Sequence, residues 1–65
     1  MNVEVGDKVR TIVYDYTGNE VISETIYTVL SIPEGESWVD LVHPEIGGFF
    51  RLRKERIAEV IRESG

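Results

Sequence analysis

Along this chain, short runs of valine, isoleucine, threonine and tyrosine alternate with charged positions and are cut by turn formers at Gly6, Gly18-Asn19, Pro33-Glu34-Gly35 and Gly47-Gly48. β-Branched and aromatic residues bounded by such punctuation predict strands. The first segment is DKVRTIVYDY, 7–16, which runs into a Gly-Asn turn. The second is ETIYTVLSI, 24–32, where Ile26, Leu30 and Ile32 alternate with Tyr27, Val29 and Ser31, the period of a strand. In IPEG, 32–35, proline stands second and glycine fourth, which predicts a type I turn. The third segment, SWVDLV at 37–42, puts Val39 and Leu41 on one face and Trp38, Asp40 and Val42 on the other. After the turn HPEIGG comes GFFRLR, 48–53, with Phe50 and Leu52 on one face and Phe49, Arg51 and Arg53 opposite.

The last segment, RIAEVIRES, reads two ways. A closing strand near 57–61 fits, with RKER before it as a single 3₁₀ turn. Ile57, Val60 and Ile61 also sit at helical spacing, so a short C-terminal helix is the alternative. Either way the chain is all-β: a small barrel of about five short antiparallel strands, with residues 1–65 as one domain. Closing a sheet on itself removes edges and buries one face in few residues.

Composition narrows the function. There is no cysteine among the 65 residues, so disulfides, thiolate metal sites and cysteine nucleophiles are excluded. The single histidine, His43, builds no histidine metal cluster, and as a lone residue in a turn it reads as an ordinary surface side chain. Glu34, Glu36 and Asp40 match no calcium-loop spacing and read as a solvated face. No apolar run approaches the ~18 residues of a membrane helix. The opening MNVEVGDKVR lacks the apolar stretch of a signal peptide, so a cytoplasmic location is expected, with no membrane partner. There is no nucleophile elbow, phosphate loop or metal motif, and so small a barrel leaves little room for a substrate pocket of ~300 Å³. We expect no enzymatic activity, cofactor or metal.

The net charge of -5 is unevenly spread. Residues 1–50 carry nine acids against two bases, whereas residues 51–65 carry five bases against three acids. An acidic body repels nucleic acid on average, yet a local basic rim attracts it.

The order of elements resembles the SH3-like barrel. VYDY, 13–16, resembles the ALYDY signature of eukaryotic SH3 domains, EGESWVDL resembles their turn-then-tryptophan strand, and GGFFRLRKERIAEV resembles their last hairpin, 3₁₀ turn and closing strand. Two departures stand out. Only about eight residues separate Tyr16 from the second segment, where those domains carry a long acidic loop, and RKERI replaces the proline and tyrosine of their 3₁₀ turn. The resemblance thus implies groove residues only at Tyr14, Tyr16 and Trp38, without the full pockets for a proline-rich peptide. VEVGDKVR resembles the first strand of bacterial SH3-like barrels, including KOW and Tudor-like modules, which serve in nucleic-acid binding, protein contacts or accessory roles.

Two surfaces compete. Tyr14 and Tyr16, two apart, would share a face on a regular strand, and Trp38 would point outward opposite Val39 and Leu41. Together they form an aromatic surface suited to a protein partner, since tryptophan is enriched at interaction hot spots. The plainer alternatives are that one tyrosine packs inside while the other caps the barrel, and that Trp38 is a lid. The second surface interleaves Phe49 with Arg51, Arg53, Lys54 and Arg56, the aromatic-basic mixture that single-stranded nucleic acid uses. Its alternative is that these bases pair with the surplus acids. The sequence favours a protein-binding module, with nucleic-acid binding as the alternative and a homo-oligomeric structural role as the third.

Overall fold

Strand propensity, alternation and turn chemistry agree over most of the chain, and the computed structural model describes residues 2–61 accordingly. Its strands are β1 (Lys8–Tyr14), β2 (Glu20–Ile22), β3 (Tyr27–Ser31), β4 (Trp38–Val42), β5 (Phe49–Arg53) and β6 (Ile57–Ile61). A single 3₁₀ turn, Lys54–Arg56, precedes β6. The segment near 57–61 is therefore a strand, and the helical alternative is set aside. Ile57 needs strand geometry to reach the core opposite Thr11 while Val60 pairs with Val9. Residues 62–64 of RIAEVIRES lie outside the described residues. No described helix is long and apolar enough to cross a membrane.

All the ladders are antiparallel. β1 is the organising strand. Its Ile12, Val13 and Tyr14 pair with β2, while Lys8 and Val9 pair with β3 and residues 8–11 with β6. β3, β4 and β5 then run as a meander. Val9, Val29, Val39, Leu41 and Ile57 make one buried cluster, so the sheet curls far enough to bring β6 and β4 to a common core. Each such side chain contributes about 1.5–3 kcal/mol by leaving water.

Three details differ from the pattern of the sequence. The short strand β2 adds to the expected segments, because the 15–19 loop returns in register: Asp15 N–H donates to the Asn19 carbonyl at 3.0 Å and Tyr14 pairs with Glu20. The turn after β3 spans Pro33–Glu36, where Glu36 N–H donates to the Pro33 carbonyl at 3.3 Å. Gly35 stands third there with φ +79°, the left-handed setting of a type II turn, which glycine adopts without cost. Finally, the alternation of 26–32 breaks at a bulge between Val29 and Ser31. Val29 and Ile32 both turn to the core, and Leu30 is left half-exposed. A bulge inserts one residue and shifts the parity of all that follows.

Candidate functional site

The β4–β5 hairpin brings one residue of the first candidate surface, Trp38, onto the second. Its register is unbroken: Trp38 opposes Arg53, Asp40 opposes Arg51 and Val42 opposes Phe49. Directly opposed residues share a face, so Trp38, Asp40, Val42, Phe49, Arg51 and Arg53 lie on one side of the hairpin. Val39 and Leu41 occupy the other side and are fully buried. Trp38 thus belongs with the basic segment and not with the tyrosines.

On this face the Arg51 guanidinium lies over the Trp38 indole, 5.1 Å from the ring centroid. Its Nε is 3.3 Å from Asp40 Oδ1, an ion pair without hydrogen-bond geometry. The other carboxylate oxygen accepts a 2.7 Å hydrogen bond from Ser31 Oγ. The β3 bulge is what turns Ser31 towards Asp40. Asp40 is buried, so it is not part of a solvated acidic face as the sequence suggested; Glu34 and Glu36 are exposed. Trp38 is half-buried under its arginine, and its Nε1–H is shut off from water with no acceptor among the described residues. Phe49 by contrast is 64% exposed. Arg53 and Lys54 are exposed and have no ion-pair partner among the described residues.

The tyrosines stand elsewhere. β1 ends at Tyr14, so Tyr16 lies in the 15–19 loop and not on a regular strand; both rings are exposed, and neither packs inside. The Asp15 carboxylate breaks the strand there by accepting from Thr17 Oγ1 at 2.6 Å, Thr17 N–H at 2.9 Å and Asn19 N–H at 3.0 Å. Tyr14 carries its own cation, with the Arg56 guanidinium 5.1 Å from its ring centroid. Arg56 also lies 3.7 Å from Glu20 and donates to the Ile12 carbonyl at 3.3 Å. Each main aromatic of the first candidate surface is therefore covered by an arginine of the second: Trp38 by Arg51, Tyr14 by Arg56. These two pairs lie at opposite ends of the 3₁₀ turn, since Arg53 opposes Trp38 and Arg56 closes the turn.

His43 is half-buried, and it organises the β4–β5 turn. Its Nδ1 accepts from the N–H groups of Glu45 and Ile46 at 3.1 and 3.2 Å. Its ring meets Tyr27 edge-on at 5.7 Å, and Tyr27 meets Phe50 at 5.2 Å. The sequence pointed to no pocket, but an open groove of about 480 Å³ lies on the outer face of β1, β3 and β6. Lys8, Ile26, Pro44 and Ile61 help line it, and Lys8 Nζ donates to Thr28 Oγ1 at 3.0 Å. It arises outside the curled sheet, between the β2–β3 loop and the β4–β5 turn. Among the described residues there is no group of three or more His, Asp or Glu side chains suited to a metal ion.

Sequence reasoning missed Asp40 and Glu20 as partners of Arg51 and Arg56, and Ser31 as the hydrogen-bond donor to Asp40. The signal for Asp40 was available: opposite charges at outward positions 40 and 51, equidistant from the HPEIGG turn. No protein-family model matches the chain, and no curated protein or solved structure is significantly similar to it.

Proposed function

We propose that this protein is a non-enzymatic, SH3-like protein-binding module whose contact surface is the outer face of the β4–β5 hairpin. The meander β3–β4–β5, the 3₁₀ turn and the return of β6 to β1 support the SH3-like assignment. One observation carries the binding reading. Phe49, 64% exposed, shares a face with Trp38. An exposed aromatic at one end of a face, a half-buried tryptophan at the other and the Asp40–Arg51 pair between them have the composition of an interaction hot spot. Tyr14, at the end of β1, and Tyr16, in the loop after it, are further exposed aromatics and serve as its periphery.

A protein partner fits this face better than nucleic acid. Arg51 and Arg56 already face Asp40 and Glu20, which leaves Arg53 and Lys54 as the cations of the 49–56 segment without an ion-pair partner among the described residues. Nucleic-acid affinity scales with the number of phosphates neutralised, and two cations on a body of net charge -5 give little.

The test is affinity capture with immobilised wild-type protein, Phe49→Ser, Trp38→Ala and, as a control on the β2 hairpin, Ile22→Ser. Circular dichroism first establishes that each is folded. A protein retained by wild type and Ile22→Ser but lost with Phe49→Ser and Trp38→Ala is the expected result. Retention by all four overturns the assignment. So do salt-sensitive amide shifts at residues 49–56 on titration with a mixed DNA and RNA oligonucleotide pool.

A further inference from the structure

The backbone of β5 adds something that its side chains do not. Two hydrogen bonds bracket the hairpin: His43 N–H donates to the Gly48 carbonyl at 3.1 Å, and Lys54 N–H donates to the Ser37 carbonyl at 2.8 Å. Both belong to the same register as the five pairs between them. In an antiparallel ladder, hydrogen-bonded and non-bonded pairs alternate. Counting inward from either bracket, Leu41–Phe50 and Val39–Leu52 are the bonded pairs. Val42–Phe49, Asp40–Arg51 and Trp38–Arg53 are the non-bonded ones. The N–H and C=O groups of Phe49, Arg51 and Arg53 therefore point away from β4.

No described strand lies on that side. The edge is regular, since the β4–β5 ladder has no bulge, and β5 contains no proline. Such an edge is a template for another strand. The residues that offer their backbone are also those whose side chains lie on the outer face: Phe49, Arg51 and Arg53. On the inner face Phe50 and Leu52 remain partly exposed beside the same edge.

We propose that β5 accepts an extended acidic segment of a protein partner as an added antiparallel strand, an inference that rests on the protein-binding reading above. In that arrangement, partner residues directly opposite Arg51 and Arg53 are hydrogen-bonded to them and share their face. Carboxylates at those alternate positions meet Arg53, Lys54 and the exposed flank of Arg51. Apolar residues between them extend the inner face next to Phe50 and Leu52. Charge argues against a second copy as the occupant: self-pairing about the middle of β5 sets Arg51 against Arg51, and like charges directly opposed are unfavourable. Acids elsewhere on the chain do not prevent a short segment from binding here, because screening confines its view to about 8 Å at physiological salt.

The probe is the peptide acetyl-Glu-Val-Glu-Val-Glu-Val-amide, titrated into the labelled full chain and followed by NMR. The lysine-for-glutamate peptide is the charge control. Two further versions carry N-methyl groups on the three glutamates or on the three valines. We expect slowed amide exchange at Phe49, Arg51 and Arg53, while Phe50 and Leu52 are protected already in the free protein. The valine-methylated probe binds, the glutamate-methylated probe does not, and Arg53→Glu with Lys54→Glu weakens binding by about tenfold or more. Equal binding of both methylated probes, or shifts without protection of those amides, overturns strand addition and leaves the hairpin-face reading intact. Equal binding of the lysine peptide overturns the acidic specificity. No binding of any probe at millimolar concentration overturns the inference, whereas the broader reading falls with the Phe49→Ser and Trp38→Ala capture experiment or the oligonucleotide titration.

Discussion

The Arg51 guanidinium covers the Trp38 indole at 5.1 Å while its Nε stands 3.3 Å from the Asp40 carboxylate. One side chain thus shields a tryptophan and neutralises an acid whose side chain is only 12% exposed. Arg51→Ala removes both roles. The cation–π contact contributes about 0.5–1 kcal/mol at an exposed site. The larger loss comes from Asp40, left with Ser31 alone, and we expect a total of about 1–3 kcal/mol. Trp38 is the only tryptophan, so its fluorescence reports the site directly. Emission should shift to the red and acrylamide quenching should rise. Urea titration gives the stability change, and an unchanged spectrum in Arg51→Ala would remove the shielding role.

Trp38→Phe should behave differently. The indole N–H is buried and has no acceptor among the described residues, so its removal breaks none of their hydrogen bonds. Phenylalanine keeps an aromatic face for Arg51. Phenylalanine is smaller, but the position is only half-buried, so thermal unfolding should show a cost of about 1 kcal/mol. A larger loss would mean that the indole N–H has a partner in solution.

These relationships divide the protein into what local patterning reveals and what only register reveals. Val39 and Leu41 were legible as core because strict alternation leaves one way to bury them. The 3₁₀ turn and β6 were legible because RKER separates two apolar runs. The parity of 26–32 was not, because the bulge at Leu30 moves Ile32 across the sheet without any marker in composition. The outward direction of Trp38 was legible, but not its cover, since Arg51 stands thirteen positions further on and reaches Trp38 only through the hairpin register. Tyr14 and Tyr16 looked like a pair because the strand seemed to run to 16. Asp15 ends it by turning the backbone into a loop bonded to its own carboxylate.

That loop has a pH signature. The Thr17 hydroxyl, then the Asn19 N–H, hold the Asp15 carboxyl below the usual aspartate range. A depressed folded value means that the loop bonds contribute above the unfolded aspartate value and are lost as pH falls through the folded one. Carboxyl NMR titration should place Asp15 below the usual aspartate range. Thr17→Val should move Asp15 upward, because the strongest of these bonds is gone. An Asp15 that titrates as an ordinary aspartate would show that the loop is open in solution.

The core sets the stability of the whole. Leu41→Ala opens a cavity at a fully buried position of β4, at a cost of about 2–5 kcal/mol. A domain this small has a modest reserve, because it buries only about 60% of its unfolded surface. We expect Leu41→Ala to be largely unfolded at 37 °C by circular dichroism. Leu30→Ala, at the half-exposed bulge, should remain folded.

Ser23 is the polar counterpart of that core. β1 pairs with β2 in one register and with β3 in another, offset by two residues, and Ser23 stands at the junction. Its N–H donates to the Thr11 carbonyl at 2.8 Å, as a continuing ladder requires. The return bond does not go to a carbonyl. The Thr11 N–H donates to Ser23 Oγ at 3.0 Å, and that hydroxyl donates onward to the Thr25 carbonyl at 2.8 Å. The side chain thus replaces a backbone acceptor that the chain has turned away, and both residues are buried. Ser23→Ala leaves the Thr11 N–H buried and unpaired, which costs about 1–3 kcal/mol. At about 4–8 °C per kcal/mol for a domain of this size, calorimetry should register a clear drop in Tm. Thr17→Ala, which also removes a single hydroxyl but in the exposed loop, should lower Tm far less. Equal effects of the two substitutions would mean that Ser23 is not the joint between the two halves of the sheet.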